Sequence, residues 1–522
     1  MRGAYHVHSD RSDGSGTLDA IAGAAGRAGL QFVIVTDHGD GTRLPEPPAY
    51  RHGVLVIDAV ELNTTGGHYV ALGLDATPYP FAGTPSDVIE DVHRLGGFGI
   101  AAHPGSPRPA LSWQDWTGDF DGLEWMNADS EWRDEPLSTL GLSLLTYMFR
   151  GPETLVSLLD RPQSVLAGWD AAGIRRRVVG LAGADAHARL GFRQRNDPDS
   201  SSIHLPLPSY DASFRAFSNH LELERNLSGE VKADTASVLG AIRAGRAYTV
   251  IDGIASPGDF TFAGVSGPSP VTMGGELPLD QSPVTLRAHI TAPPNTTMTL
   301  FRDGQSFRAV QTAALEVGVT GQPGVYRIEA TIAGGPGHPP IPWLVSNPIY
   351  VGIHSAPTQA MTSISDSAGV PVALDHVEVE KGPGCASDAD TGQGSGASEV
   401  NWRFALAPGN PTGQFAALRI PVSALSGFRV VRARVVADRP MRAWMQLRAP
   451  VGKVERWGST FYADAEERVI ELALDGFLPI GPLAGPHAPL DKVDSLLVVV
   501  DTLNTLPGKG GTLRVLSVEL AR

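Results

Sequence analysis

The chain has 522 residues, more than one ordinary hydrophobic core can organise, so we expect several domains. Hydrophobic residues make up 42% and charged residues 19% of it, which is typical of a globular protein, and no apolar run is long enough for a transmembrane helix. The formal net charge of −15 argues against non-specific binding to nucleic acid or to anionic membranes. The single cysteine, Cys385, excludes an intrachain disulfide.

The N-terminal segment carries a pair of histidines. His6 and His8 are separated by one residue in a run that we predict to be a strand, where alternation would point both imidazoles to the same face. Asp13 follows in a turn that contains Gly14. This motif begins within the first ten residues, so we expect no signal peptide in this sequence, and the abrupt start suggests that a natural leader is missing from it.

Strands and helices alternate over the first part of the chain. We predict helices over 17–28, with Thr17 as its cap, and over 85–95, with Ser86 as its cap. Further helical patterns cover 137–149 and 153–175, separated by Gly151-Pro152. The predicted strands cover 4–7, 31–35, 54–60, 68–74, 98–102, 123–126 and 178–182. This alternation predicts a parallel sheet, and seven strands favour an α/β barrel.

Residues that commonly bind metals recur along these strands, nearly all of them at strand ends, where catalytic residues of α/β barrels lie. The candidates are His6, His8, Asp13, His38, Glu61, His68, His103, Asp185 and His187, and only His68 lies at the start of a strand. Imidazoles and carboxylates without a thiolate suit zinc, manganese or iron. Nine groups are too many for one ion, so we predict two or three divalent metal ions with Glu61 as a bridging ligand. Such paired ions lower the pKa of a bound water molecule and stabilise the oxygens of a displacement at phosphorus or carbon.

In their order along the chain, these motifs resemble those of the polymerase and histidinol phosphatase (PHP) family. The matching segments are His6-x-His8 with Ser12-Asp13-Gly14, Thr36-Asp37-His38, Glu61, His103-Pro104 and Asp185-x-His187, all within residues 3–255. The resemblance implies a distorted (β/α)7 barrel. It also implies that His6, His8, Glu61 and Asp185 hold one metal, Glu61 and His103 a second, and Asp13, His38 and His187 a third.

Two further details follow from the same resemblance. The family has another ligand on the strand after the glutamate, and His68 is the histidine placed to supply it. The segments 39–43 and 183–189 look like the branch that contains carbamate-ester hydrolases of the CehA/McbA type, and 346–351 looks typical of chains in which a sandwich follows this barrel.

The remainder of the chain is predicted to be all β. We expect the barrel domain to span 1–257, an immunoglobulin-like sandwich 258–353, a linker 354–373 and a jelly-roll-like sandwich 374–522, with a loop over 386–398. The tryptophans of the last domain, Trp402, Trp444 and Trp457, would belong to its core, although stacking on a sugar ring is the alternative.

Several other side chains have two interpretations. We expect Asp37 to orient His38. For Arg43, Arg189 and Arg193 the alternatives are an anionic substrate group or a plain surface position. For Trp113, Trp116, Trp125 and Trp132 they are core packing or a pocket. For 140–149 they are a helix that touches a membrane and, favoured by its length of ten residues, a buried helix or a lid. We expect the remaining histidines His52, His93, His204 and His220 to be solvated.

These observations favour a hydrolase in which a hydroxide between two metals attacks the substrate, with Asp185, His103 and Glu61 taking part in catalysis. The resemblance, through the breadth of the family alone, implies a phosphoester as the substrate. Hydrolysis of a carbamate or another carboxyl ester on the same cluster is the alternative. A third possibility is an inactive barrel in a protein that binds a surface or a glycan through its sandwiches. The expected partners are thus a small-molecule ester and, through the C-terminal sandwich, a glycan or surface. Tails of several sandwiches are common outside the cytoplasm, which favours an exported protein.

Overall fold

The computed structural model describes residues 1–191, 204–267, 270–278, 283–337, 339–353, 368–393, 398–409, 413–450, 455–481 and 485–522. β-Sheet predominates over helix in these residues. The chain divides into two compact units, one of Met1–Ala76 with Thr84–Ala356 and one of Thr77–Gly83 with Pro357–Arg522. Among the described residues, no helix combines the length and the apolarity needed to cross a bilayer.

Helices of the first unit follow the apolar periodicity closely. The Thr17 hydroxyl caps Leu18–Arg27 as predicted, and Ile21, Ala22 and Ala25 on its inner face are buried. The second helix is capped by Thr84 rather than Ser86, because Thr84 forms a reciprocal capping box with Asp87 and Pro85 takes the first helical position. The α-helices of the unit are Leu18–Arg27, Pro85–Arg94, Ala128–Arg133, Leu137–Tyr147, Gly151–Ser157, Gln163–Gly173, Tyr210–Ala216 and Val231–Arg243.

Each of the seven predicted strands overlaps a strand in the structure, the first of them only at Ala4, but these strands belong to two sheets. A six-stranded sheet has the order Val179–Gly183, Gly122–Asn127, Phe98–Ala101, Gly67–Leu72, Val60–Thr64 and His38–Gly39. In the second, larger sheet, Arg2–Ala4 pairs in parallel with Phe32–Val35, which pairs in parallel with Val54–Asp58. The predicted strand 54–60 is therefore interrupted at Ala59, and Glu61 lies inside the next strand. This division into two sheets, in a chain that is largely β, does not by itself establish a (β/α)7 barrel.

The larger sheet continues beyond residue 257. Its path is Glu276–Leu277, Ile349–Val351, Gly324–Ile332, Leu344–Ser346, Ala247–Val250, Ser218–Leu221, Arg2–Ala4, Phe32–Val35, Val54–Asp58 and Ala49–Arg51, with Thr296–Arg302 and Gln305–Val310 joined at Gly324–Ile332. The strands from the two sides of residue 257 meet where Ala247–Val250 pairs antiparallel with Leu344–Ser346, with Thr249 opposite Val345. A four-stranded sheet is formed by Pro270–Thr272, Phe260–Val265, Thr285–Ile290 and Ala314–Gly318, and Leu190–Gly191 pairs with His204–Leu205. Pairing between strands that are far apart in the chain leaves no signal in residue periodicity, so the sequence did not indicate that this sheet continues.

Asn347 strengthens this junction. Its side-chain oxygen accepts from Gly180 N at 2.7 Å, and its amide donates to Gly180 O at 2.9 Å and to Ala247 O at 3.0 Å. Tyr350 adds a bond from Val178 N to its hydroxyl at 2.9 Å. These contacts give a physical role to the 346–351 segment.

The second unit contains two six-stranded sheets around one apolar core. One comprises Ala386–Gln393, Ser398–Ala405, Gly510–Ala521, Val430–Ala437 and Arg468–Ala473, with Val370–Pro371 beside Gly510–Ala521. The other comprises Glu378–Lys381, Phe415–Pro421, Ser495–Asp501, Met441–Ala449, Glu455–Ala463 and Leu478–Ile480. A single 3-10 turn, Leu474–Gly476, is found in the described part of this unit.

Three sequence predictions for this region can be compared with the structure. Trp402 and Trp457 are buried in the core, as the packing interpretation predicted, and Trp444 is partly buried. The loop expected over 386–398 is wrong for its first part, because Ala386–Gln393 pairs with Ser398–Ala405 despite its polar composition. Most of the predicted linker, 354–367, lies outside the described residues.

Candidate metal centre

The structure brings all nine candidate residues together. His38 pairs in parallel with Glu61 across the six-stranded sheet, and His8 N donates to Ala186 O, so residues distant in sequence meet at one place. Four groups of side chains hold their ligand atoms within 4.8 Å of one another: His8, Asp13, His38 and His187; His6, His8 and Glu61; His6, His103 and Asp185; and His38, Glu61 and His68.

Glu61 is at the centre of this cluster and is buried. Five imidazoles surround its carboxylate. Its Oε2 lies 3.2 Å from His6 Nε2, 3.3 Å from His8 Nε2 and 3.2 Å from His38 Nδ1, and its Oε1 lies 2.7 Å from His68 Nδ1 and 2.9 Å from His103 Nε2. His68, the candidate with the least support in the sequence, thus shares an oxygen with His103.

Two further carboxylates complete the cluster. Asp185 Oδ1 lies 3.5 Å from His6 Nε2 and 3.3 Å from His8 Nε2. Asp13 Oδ2 lies 3.2 Å from His187 Nε2 and 3.7 Å from His38 Nε2. The Asp13 side chain is 49% exposed whereas that of Asp185 is 8% exposed, so the cluster is open to solvent on the Asp13 side.

The chemistry of these atoms fits divalent cations. Both ring nitrogens of His8, Nε2 of His6, Nδ1 of His38 and Oε2 of Glu61 are buried and have no hydrogen-bond partner. Unpartnered buried polar atoms are costly, and here they all point into the same cluster. Ligand atoms about 2.0–2.2 Å from one ion lie about 3.0–3.6 Å apart. The distances around Glu61 Oε2 and Asp185 Oδ1 fall in this range.

Hydrogen bonds orient several of the rings. His6 Nδ1 donates to Glu124 Oε1 at 2.5 Å, His103 Nδ1 to Leu111 O at 3.1 Å and His187 Nδ1 to Asp185 O at 2.8 Å. Each bond leaves Nε2 as the nitrogen that faces the cluster. Anchoring one nitrogen in this way is typical of histidines that bind metals.

Glu124 is the principal residue that the sequence analysis missed. Besides His6, it accepts from His103 N and from Asn127 Nδ2, each at 2.8 Å, and it is fully buried. The signal was present, since Glu124 is a lone carboxylate inside the apolar predicted strand 123–126. A charged residue in such a run is informative because it requires a buried partner.

Asp37 supports a different segment from the one predicted, because its side chain bonds Ser9 and Ser12 instead of His38. Its carboxylate accepts from Ser9 N at 2.7 Å, from Ser9 Oγ at 2.6 Å and from Ser12 Oγ at 2.7 Å, and it pairs with Arg11. Asp37 therefore holds the turn between His8 and Asp13, and no described hydrogen bond of its side chain reaches His38.

Backbone geometry also differs from the strand prediction. The first strand ends at Ala4, and His6 has a φ of 63°, so simple alternation does not explain why His6 and His8 face the same cluster. His103 and Asp185 have φ values of 33° and 43°. Positive φ is rare for residues other than glycine and concentrates at functional sites. Three of the nine candidates adopt it.

Mutual interactions shift the pKa values of the cluster. Burial raises the pKa of Glu61, but the imidazoles of His6, His103 and His68 outweigh it and hold that pKa well below its usual range. Burial also raises the pKa of Asp185, but His6 and His8 outweigh this effect and hold that pKa well below its usual range. Burial lowers the pKa of His187, but Asp13 and Asp185 reverse this effect and raise it to about 9. The carboxylates are thus ionised and able to act as ligands.

A cavity of about 550 Å³ adjoins the cluster, and Asp13, Asp185 and His187 belong to both. Its lining includes three arginines, Arg108, Arg133 and Arg189, and the apolar residues Trp132, Leu155 and Leu158. Arg133 pairs with Asp129, which also lines the cavity, and lies over the Trp132 ring. The volume is within the usual range of small-molecule sites, about 300–1,000 Å³.

Other candidates are distributed as follows. Arg189 lines the cavity, whereas Arg43 pairs with Asp58 at 2.9 Å, and Arg193 lies outside the described residues. Trp113 and Trp125 are buried in the core, and Trp132 lines the cavity. The buried-helix interpretation of 140–149 is wrong, because Leu142, Leu145, Met148 and Phe149 are exposed. These side chains find no opposing apolar surface among the described elements.

Two of the remaining histidines were wrongly expected to be solvated. His93 is bonded to Asp121 at 2.8 Å. His220 lies in the strand Ser218–Leu221 and stacks on Tyr248, with its Nε2 buried. Their local sequences are polar, which concealed their tertiary contacts.

Comparison with solved structures identifies partial similarities. A two-domain Bacteroides vulgatus protein, in which a PHP-like metal-dependent phosphoesterase has been predicted, overlaps 67% of this chain and 94% of its own at 12% identity, with a TM-score of 0.30. A Bifidobacterium adolescentis protein to which metal-dependent phosphoesterase activity has been ascribed overlaps 40% of this chain and 93% of its own at 14% identity, with a TM-score of 0.24. A family 11 carbohydrate-binding module of Clostridium thermocellum overlaps 30% of this chain and 96% of its own at 15% identity, with a TM-score of 0.25.

In sequence comparison, an uncharacterized protein of Methanocaldococcus jannaschii is 34% identical over 114 residues. The match covers 21% of this chain and 64% of that relative. No protein-family profile matches the chain. The function is therefore argued from the geometry of the site.

Proposed function

We propose that this protein is a metal-dependent hydrolase of phosphoesters. The observation that carries the proposal is the convergence of buried, unpartnered imidazole nitrogens on Glu61 Oε2 beside a cavity that Arg108 and Arg189 line. The first property matches a cluster of cations, and the second matches an anionic substrate.

The proposed scaffold is the distorted seven-stranded barrel, with the domain boundaries predicted from the sequence. Three observations support it. One sheet contains Arg2–Ala4, the other contains Val179–Gly183, and an isolated parallel bridge joins Val7 to Ala186, just after these two strands in the chain. Because Phe32–Val35 leads directly into His38–Gly39, the two sheets share continuous chain at the site. A ring of this kind would bring the strand ends together around Glu61.

In this proposal the nine candidates divide between two or three zinc, manganese or iron ions. His6, His8, Glu61 and Asp185 hold one, Glu61, His68 and His103 a second, and Asp13, His38 and His187 a third. Bound ions of this type lower the pKa of a water molecule and stabilise negative charge on the reacting oxygens.

The protein's own residues bind and orient the substrate. Asp185 lies in the ligand cluster and on the cavity wall, so it marks the point where the reacting bond approaches the cluster. Arg108 and Arg189, which line the cavity, would attract the phosphoryl oxygens. Glu124 keeps Nδ1 of His6 protonated, which fixes Nε2 as the ligand nitrogen.

The test is release of 1-naphthol from two esters, 1-naphthyl phosphate and 1-naphthyl N-methylcarbamate, by protein loaded with manganese or zinc. We expect cleavage of the phosphate and not of the carbamate. His103→Ala should lower kcat/KM at least about 100-fold. His289→Ala, which removes an exposed histidine outside the cluster, should change it less than twofold.

The opposite preference would assign the protein to carbamate or carboxyl-ester hydrolysis on the same cluster. Cleavage of neither ester would refute both substrate classes. Retention of glycan binding by such an inactive full-length chain would favour the third possibility, an inactive barrel in an exported glycan- or surface-binding protein.

A further inference from the structure

A second cavity adjoins the cavity of the metal centre. It has a volume of about 380 Å³ and lies between the helices Leu137–Tyr147 and Gly151–Ser157 and the segment at Leu207 and Pro208. Trp132, Leu155, Leu158 and Pro208 line both cavities. The two spaces therefore share a wall and lie next to each other on the same unit.

The walls of this second cavity are almost entirely apolar. Leu140, Leu144 and Leu207 add to this lining, and no arginine is found in it among the described residues. The lining contains three hydroxyls, those of Ser143, Tyr147 and Thr154, and the last two form hydrogen bonds within the protein. Tyr147 accepts from Ser209 N at 2.7 Å, and Thr154 donates to Thr146 Oγ1 at 3.2 Å. An occupant would consequently gain little from polar groups and much from apolar ones.

We propose that the second cavity binds an apolar arm of the substrate, a hydrocarbon chain or ring, while the ester head group lies at the metal centre. This inference rests on the proposed function and names the substrate class as amphiphilic esters. Its support is that the two cavities are adjacent, while Arg108, Arg133 and Arg189 line only the cavity of the metal centre. An ester with a charged head and an apolar arm matches this division.

Docking of the helix to a membrane surface is the competing explanation for its exposed apolar side chains. Leu142 is 66% and Phe149 90% exposed. The flanking charges do not favour an anionic surface, since Asp134 and Glu135 precede the helix and only Arg150 follows it. The concave cavity is also better suited to one chain or ring than to a flat lipid surface.

The test compares octylphosphonate with methylphosphonate by isothermal titration of the metal-loaded protein, which requires no turnover. Burial of the longer chain should tighten binding at least about tenfold, since each buried CH₂ contributes about 0.8 kcal/mol and tenfold corresponds to about 1.4 kcal/mol. Leu144→Glu, in the cavity wall, should reduce the octyl-to-methyl ratio at least fivefold. Leu142→Glu, on the same helix but outside the lining, should leave the ratio unchanged.

Equal binding of the two phosphonates would overturn the inference. Equal effects of the two leucine variants would also overturn it, as would phosphatidylcholine-vesicle binding that is lost in both variants without any preference for octylphosphonate. A failure of hydrolysis is distinguishable from these results. Chain-dependent binding with no turnover of 4-nitrophenyl octyl phosphate would refute the proposed reaction and retain the apolar subsite.

Discussion

Glu124 offers the sharpest test of how the metal centre is built, because it is not one of the nine ligand candidates but holds two of them, His6 and His103, in place. Its two oxygens accept three hydrogen bonds, from His6 Nδ1, His103 N and Asn127 Nδ2, at 2.5–2.8 Å. Glu124→Gln keeps the shape of the side chain but replaces one acceptor oxygen by a donor NH₂. Either one of the three donors then faces another donor, or His6 accepts at Nδ1 and carries its proton on Nε2, the nitrogen that faces the cluster.

The magnitude follows from these contacts. An unsatisfied buried donor costs about 1–3 kcal/mol, and loss of a charged acceptor adds to that cost. We expect Glu124→Gln to reduce the free energy of unfolding by about 2–4 kcal/mol. Because His6 also loses the carboxylate that orients its ring, we expect the affinity for manganese or zinc to fall about 10–100-fold.

Isothermal titration of the metal-free protein with manganese measures the affinity, and urea denaturation measures the stability. Glu224→Gln is the matched control, since its side chain is 80% exposed and bonded only to Arg246 among the described contacts. Metal affinity within twofold of the wild type, together with unchanged stability, would show that Glu124 does not position His6.

Three further changes test other parts of the structure. Asn347→Ala removes the side chain that bonds Gly180 and should lower the free energy of unfolding by about 3 kcal/mol in urea denaturation, whereas the exposed Asn226→Ala should be neutral. Burial raises the pKa of Glu131 to about 8, so the folded protein keeps a proton that the unfolded chain releases near pH 4.5. Stability should therefore fall as the pH rises between these values, by about 4 kcal/mol, and a Glu131→Gln variant with the same fall in its unfolding profile would contradict this. Burial lowers the pKa of His220 to about 3, so its contribution is present above about pH 6.5 and is lost as the pH falls towards 3. His220→Phe should remove about 3 kcal/mol of the loss in the free energy of unfolding between pH 6.5 and 4. An equal loss in variant and wild type over this pH range, measured by urea denaturation, would exclude the effect.

Local pattern was sufficient for most of the secondary structure. The helix at Leu18–Arg27 carries its cap and its apolar face in its own residues, and the run Phe32–Val35 is apolar throughout. The candidate ligands were also readable, because imidazoles and carboxylates recur where apolar runs end. Local preference failed where a segment depends on a distant partner, as in the polar strand Ala386–Gln393, and it did not indicate that the helix Leu137–Tyr147 is exposed.

The amino-acid sequence by itself therefore determined which side chains are available to bind metals and which segments form most of the strands. Tertiary structure decided how those side chains meet. Only the fold places His68 and His103 on the same oxygen of Glu61, and only the fold gives Glu124 its three donors. It also decided that Ala247–Val250 and Leu344–Ser346 share a sheet. The physical reason is that periodicity and propensity act over a few residues, whereas ligand geometry, burial and strand pairing depend on contacts between segments far apart in the chain.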